Sequence, residues 1–140
     1  MSGEYELLEY NLVDQETEYA VEMTMLETQS NNEWMALLAF GMGDIQTKDK
    51  LEIYIQQLNT ETKGLVAGYR YVVSDKIVFN KILLTELPIG ETIYWSISWN
   101  QDGEFQIAVA DQKEESIKTE LSNLLGFIKV SSGKGKIHRY

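Results

Sequence analysis

Tyr94, Ser96, Ser98, Gln106 and Ala108 fall on every second residue of two apolar-rich segments, 93–99 and 104–109. Alternate residues of an extended chain share a face, so these side chains lie together if the two segments pair. Hydroxyl and amide groups match the hydroxyls of a sugar, and an aromatic ring stacks on its C–H face. Tyr69, Arg70 and Tyr71, with Trp34, add rings and a guanidinium to the same inventory. The chemistry implied is recognition of a carbohydrate or another neutral polar ligand on a sheet face, with Tyr94, Ser96, Ser98, Gln106, Trp34, Tyr69 and Tyr71 as binding residues. The plainer reading, a solvated outer face, uses the same residues.

Other chemistries find little support. The chain has no cysteine, which removes disulfides, thiolate metal sites and cysteine nucleophiles. Its single histidine, His138, lies in a basic tail expected to fray, so a serine–histidine–carboxylate triad has no base. Carboxylates are numerous, but most occupy presumed outward strand positions rather than the apolar pocket a general acid needs. The run from Asn100 to Glu104 lacks the full spacing of a calcium loop and reads as a turn. Gly41 and Gly43 follow a strand without the third glycine and helix of a dinucleotide fingerprint, and read as a loop. No enzyme, cofactor or metal is expected.

The elements that must position the site read as strands. Alternation runs through 19–25, 51–56, 93–99 and 104–109, and further β-rich runs lie at 5–12, 34–40, 65–73 and 76–84. Asp102-Gly103 between two of them predicts a hairpin with a three-residue loop, 101–103, ending in a glycine bulge. That register pairs Asn100 with Glu104 and Trp99 with Phe105. It gathers Trp95, Ile97, Trp99, Phe105, Ile107 and Val109 on one apolar face, and a one-residue slip would mix the faces. One segment differs: Ile117, Leu121, Leu124 and Leu125 carry helical spacing, with Glu114 and Glu115 before them and Gly126 after. This predicts a short C-terminal helix covering an end or edge of the sheet.

The formal net charge is −10, and it is unevenly spread. Residues 1–47 hold ten acids and no lysine or arginine, whereas the tail after Ile128 carries Lys129, Lys134, Lys136 and Arg139 without an acid. Such a chain repels nucleic acid and anionic membranes. No apolar run approaches a membrane span, and the start, MSGEYELLEY, lacks the basic and apolar regions of a signal peptide, so a cytoplasmic protein is expected. The acidic third and basic tail suggest the alternative function, a protein-interaction subunit joined through these two regions, with a protein partner or a second copy of the chain.

Three stretches, Leu51-Glu52-Ile53-Tyr54-Ile55, then Gly90 through Trp99 with its Trp95-Ser96-Ile97-Ser98-Trp99, then Asp102-Gly103-Glu104-Phe105-Gln106-Ile107-Ala108-Val109, resemble the concanavalin A-like and laminin-G-like lectin sandwiches. The hairpin is also similar to the β-sandwich domain named after farnesoic acid O-methyltransferase. The resemblance spans about residues 18–111. It implies a jelly roll of two sheets and carbohydrate or protein recognition. The Asp/Asn metal loop of legume lectins and the histidine–arginine–tryptophan sugar pattern of galectins are both missing, so no binding residue transfers from the family. The expectation is an all-β antiparallel sandwich, jelly-roll-like, forming a single domain over 1–140, with roughly eight to ten strands and one late helix.

Overall fold

A computed structural model describes residues 5–10, 18–25, 36–59, 64–88, 90–109, 113–122, 124–131 and 135–139. Among the described residues the chain forms eleven strands: β1 (Tyr5–Tyr10), β2 (Glu18–Met25), β3 (Ala36–Asp44), β4 (Lys50–Asn59), β5 (Gly64–Val73), β6 (Lys76–Leu84), β7 (Thr92–Trp99), β8 (Glu104–Val109), β9 (Lys113–Lys118), β10 (Leu124–Ser131) and β11 (Gly135–Arg139). They form a six-stranded sheet, β1-β10-β3-β4-β5-β6, and a five-stranded sheet, β11-β2-β7-β8-β9, antiparallel throughout.

The sheets face each other through the apolar side of each alternation. Leu38, Phe40, Met42, Leu51, Ile53, Ile55 and Tyr69 from one sheet meet Val21, Met23, Trp95, Ile97, Phe105 and Ile107 from the other, all buried. Phe40 and Trp95 touch edge to face across the interface, centroids 6.3 Å apart. Truncating a buried ring of this kind costs about 3–5 kcal/mol.

The hairpin register holds: Trp99 opposes Phe105, Ile97 opposes Ile107, and Ser98 opposes Gln106. Gly103 takes φ +79° at the bulge, and Asn100 donates its N–H to Glu104 O at 3.1 Å.

Three expectations are corrected. The late helix is absent: 113–118 is β9 and 124–131 is β10. Three of the N–H groups between them go to distant acceptors, and that of Leu121 goes to the Thr119 hydroxyl (3.2 Å), none of them to a helical carbonyl. Thr119 N donates to Gly103 O (2.7 Å), Glu120 N to the Tyr71 hydroxyl (2.9 Å) and Ser122 N to Asp44 Oδ2 (3.0 Å). The helical spacing arises because Ile117 faces inward from one strand, Leu121 plugs the connection, and Leu124 begins the next strand. Second, Gly41-Met42-Gly43 is not a loop but the middle of β3, opposite Leu51 and its neighbours. A Cβ on Gly41 would lie 2.0 Å from Leu51 O, so this close pairing admits only glycine. Third, residues 135–139 of the basic tail, expected to fray, form β11, which pairs with β2 and sets His138 opposite Glu22.

Candidate functional site

The antiparallel register lines up two rows across the outer face of the six-stranded sheet. One runs Phe127–Gly41–Glu52–Arg70–Asn80 and the next Lys129–Ala39–Tyr54–Gly68–Ile82. Small residues at 39, 41 and 68 leave the space beside Glu52 and Tyr54 to long side chains from neighbouring strands. Ala39, Tyr54 and Phe127 form a small apolar cluster of their own on this face.

Glu52 is 0% exposed although it points away from the core. Its Oε1 accepts from Arg70 Nε at 2.7 Å and also from Arg70 Nη2. Lys50 Nζ lies 3.1 Å from Oε2 as an ion pair, but no donor points squarely at that buried oxygen. Burial alone would raise the carboxyl's pKa; the ammonium of Lys50 and the guanidinium of Arg70 together hold it below its ordinary value. The Arg70 guanidinium covers the Tyr54 ring at 4.8 Å, and Tyr54 donates its hydroxyl to Asn80 Oδ1 at 2.6 Å. Burial, first of all, raises the Tyr54 phenol. Lys50 also sits over the Phe127 ring, 5.8 Å from its centroid. Half-buried Lys129 has its pKa lowered, chiefly by burial.

Lys50, Glu52, Phe127 and Lys129, with Leu125 and the β3–β4 turn, line an open hollow of about 220 Å³. Asp44 fixes that turn. Its Oδ1 accepts from the N–H groups of Gln46 (2.8 Å) and Thr47 (3.1 Å), and the Ser122 N–H holds its pKa low against burial. The result is a rigid floor of charge and aromatic surface, suited to polar ligands with an apolar face.

The expected binding residues divide between surfaces. Tyr94 is 56% exposed on the outer face of the five-stranded sheet; Ser96, Ser98 and Gln106 share that face by register. Ser98 and Gln106 join Ser116 in a second open hollow, of about 440 Å³, beside the hairpin turn. Tyr69 and Tyr71 belong to neither outer face. Both are buried on the inner side of the other sheet, correcting their expected place beside Tyr94, because odd positions of β5 carry its apolar alternation. The Tyr69 hydroxyl donates to Glu115 Oε1 at 3.3 Å, and burial with that carboxylate pushes its pKa to about 12. Trp34 lies outside the described residues. Sequence reasoning named Arg70 but missed Lys50, Glu52, Tyr54, Phe127 and Lys129. The signal was there in part: Lys50, Glu52 and Tyr54 alternate with Leu51, Ile53 and Ile55 as one outward row.

No family model matches the chain, and no curated protein matches it by sequence. Solved structures do. Galectin-Ib from Xenopus laevis superposes with a TM-score of 0.62 at 8% identity, over 98% of this chain and 100% of that one. The fold is a lectin-like β-sandwich. A carbohydrate-binding module from Bacillus subtilis matches this lectin-like sandwich with a TM-score of 0.56 at 8% identity, covering 87% of this chain and 71% of the module. An alginate lyase from Pseudomonas aeruginosa matches at 0.59 and 12% identity, over 93% of this chain and 65% of the enzyme.

Proposed function

We propose that this lectin-like sandwich is a non-catalytic carbohydrate-recognition module that binds on the outer face of its six-stranded sheet. The observation that carries the reading is the buried Glu52 carboxylate, locked by Arg70 and Lys50 at the edge of an open hollow beside Phe127 and Lys129. Fixed donors and acceptors meet sugar hydroxyls with little ordering cost, and the adjoining rings suit sugar C–H faces. The galectin and the carbohydrate-binding module among the structural neighbours support the same class of ligand.

Because one neighbour is a lyase, local chemistry rather than fold bears on catalysis. General acid work asks for a carboxyl with a raised pKa, and Glu52 is shifted the other way. The Tyr54 phenol is raised, away from the range of a base at neutral pH.

A glycan array with the wild type, Glu52→Gln and Tyr94→Ala tests the reading. The wild type should bind a defined glycan set, Glu52→Gln should weaken it about tenfold or more, and Tyr94→Ala should keep it. Loss in Tyr94→Ala with retention in Glu52→Gln moves the site to the face bearing Tyr94, Ser96, Ser98 and Gln106. Absence of glycan binding by the folded wild type ends the proposal.

A protein-interaction subunit is the second reading, and β6 favours it. It is an edge strand that exposes Ile77, Val78, Phe79 and Ile82, at 57%, 57%, 43% and 41%. Exposed apolar edges of this length are places where chains pair. The acidic third and basic tail carry this reading less well, since β2 and β11 already pair within one chain.

A further inference from the structure

We propose that the chain carries a second ligand site, on the outer face of its five-stranded sheet, where Ser98, Gln106 and Ser116 take up a neutral sugar. It is separate from the hollow over Glu52 and does not depend on a ligand there.

Antiparallel register sets these three residues in one line across β7, β8 and β9: Ser98 opposes Gln106, and Gln106 opposes Ser116. The line spans two strand spacings, about 10 Å. The next line, toward the hairpin turn, holds Asn100, Glu104 and Lys118. Both lines border the open hollow of about 440 Å³. That volume falls within the roughly 300–1,000 Å³ of small-ligand sites. The line nearer the turn is engaged by the turn itself. Asn100 Oδ1 accepts from the N–H groups of Asp102 (2.9 Å) and Glu104 (3.1 Å), its amide donates to Glu104 Oε1 at 3.3 Å, and Lys118 Nζ donates to Asp102 O. Glu104 and Lys118 are cross-strand neighbours, yet each charged end is turned to another group.

The line of Ser98, Gln106 and Ser116 differs. Among the described residues, no group hydrogen-bonds the hydroxyl of Ser98 or Ser116 or the side-chain amide of Gln106. Two short hydroxyl side chains flank one longer amide, so space is left on both sides of Gln106. Hydroxyls and an amide each donate and accept, as does every sugar hydroxyl, so the line matches neighbouring hydroxyls of one ring without calling on charge. Half-buried Trp99 and Ile117 border the same hollow and give a sugar's C–H groups apolar surface. Tyr94, four residues before Ser98 on β7, lies outside it.

The test is two-dimensional amide NMR of the full chain, titrated with galactose, glucose, mannose, N-acetylglucosamine, lactose and maltose, with glycerol as a control. At least one sugar should shift the backbone amide signals of Ser98, Gln106 and Ser116 along a saturable curve. Gln106→Ala and, as an independent variant, Ser116→Ala should each weaken that sugar about fivefold or more. Both positions are exposed, and each variant is checked for an unchanged melting profile. Glu52→Gln should leave the same dissociation constant unchanged. Shifts confined to residues around Glu52 overturn the second site and leave the first standing. Weakening by Glu52→Gln as large as that by Gln106→Ala also overturns it, since the two hollows would then act as one linked site. No shift with any of these sugars, in folded protein, overturns it as well, and the glycan array decides the first site separately. Glycerol binding the same amides as tightly as the best sugar overturns it too, because the face would then hold any polyol.

Discussion

Glu52 concentrates the electrostatic cost and gain of the outer face in one side chain. Fully buried, it loses its hydration; Arg70 and Lys50 replace it, with side-chain exposures of 18% and 36%. Removing one member of a buried ion pair costs about 3–5 kcal/mol, but solvent screens these partly exposed cations, so Glu52→Gln should cost about 2 kcal/mol in urea unfolding near pH 7. The sign of the pH dependence follows from the direction of the shift. A carboxyl whose folded pKa lies below its ordinary 4.5 stabilises the fold above that value and loses the contribution as pH falls through the folded one. The gap between wild type and Glu52→Gln should therefore be widest above about pH 4.5 and close in acid; a gap constant from neutral to acid pH would show that the ion cluster does not act this way. Lys50, Glu52 and Tyr54 were legible as an outward row. The burial of Glu52 and Tyr54 was not, because it depends on Phe127 and Arg70 from strands far apart in the chain.

At the scale of elements, the β7–β8 hairpin and the 119–122 connection hold each other. Gly103 O accepts from both the N–H and, at 2.9 Å, the hydroxyl of Thr119. Gly103 is constrained twice, by φ +79° and by Thr119 O, which would lie 2.3 Å from an added Cβ. Gly90 has φ +88° but open space around it. Gly90→Ala should thus cost about 1 kcal/mol from backbone strain alone, and Gly103→Ala about 2 kcal/mol or more. Equal losses in thermal unfolding would refute the steric part of the argument. The hairpin was readable because its turn chemistry and its alternation agree and both are local. The connection was misread as a helix because the acceptors of three of its N–H groups, Gly103 O, the Tyr71 hydroxyl and Asp44 Oδ2, are brought near only by tertiary packing.

For the whole molecule, the edges and the charge pattern decide how it meets other molecules. The five-stranded sheet ends in β9 and the six-stranded sheet in β6, and Lys81 on β6 bridges to Glu115 on β9 at 2.7 Å. That salt bridge and the tilted contact of Phe79 with Tyr69 tie one side of β6 to the sandwich, while Ile77, Val78 and Ile82 stay open. If the second reading holds, wild-type protein should self-associate with concentration in sedimentation equilibrium. Val78→Lys with Ile82→Lys should then raise the dimer dissociation constant about tenfold or more. A wild type that sediments as a monomer throughout removes self-pairing along this edge. Described residues include no helix long and apolar enough to cross a membrane.

Composition and alternation by themselves determined an all-β sandwich and the faces and register of the β7–β8 hairpin, since each depends on residues a few positions apart. Tertiary structure alone decided where the outer faces are hollowed, that charges from β4, β5 and β10 meet on one of them, and that the late helical pattern is two strands and a plug. The physical reason is range: side-chain alternation is written into one strand, whereas the pairing of strands distant in sequence is set by which register lets both sheets close over a common core.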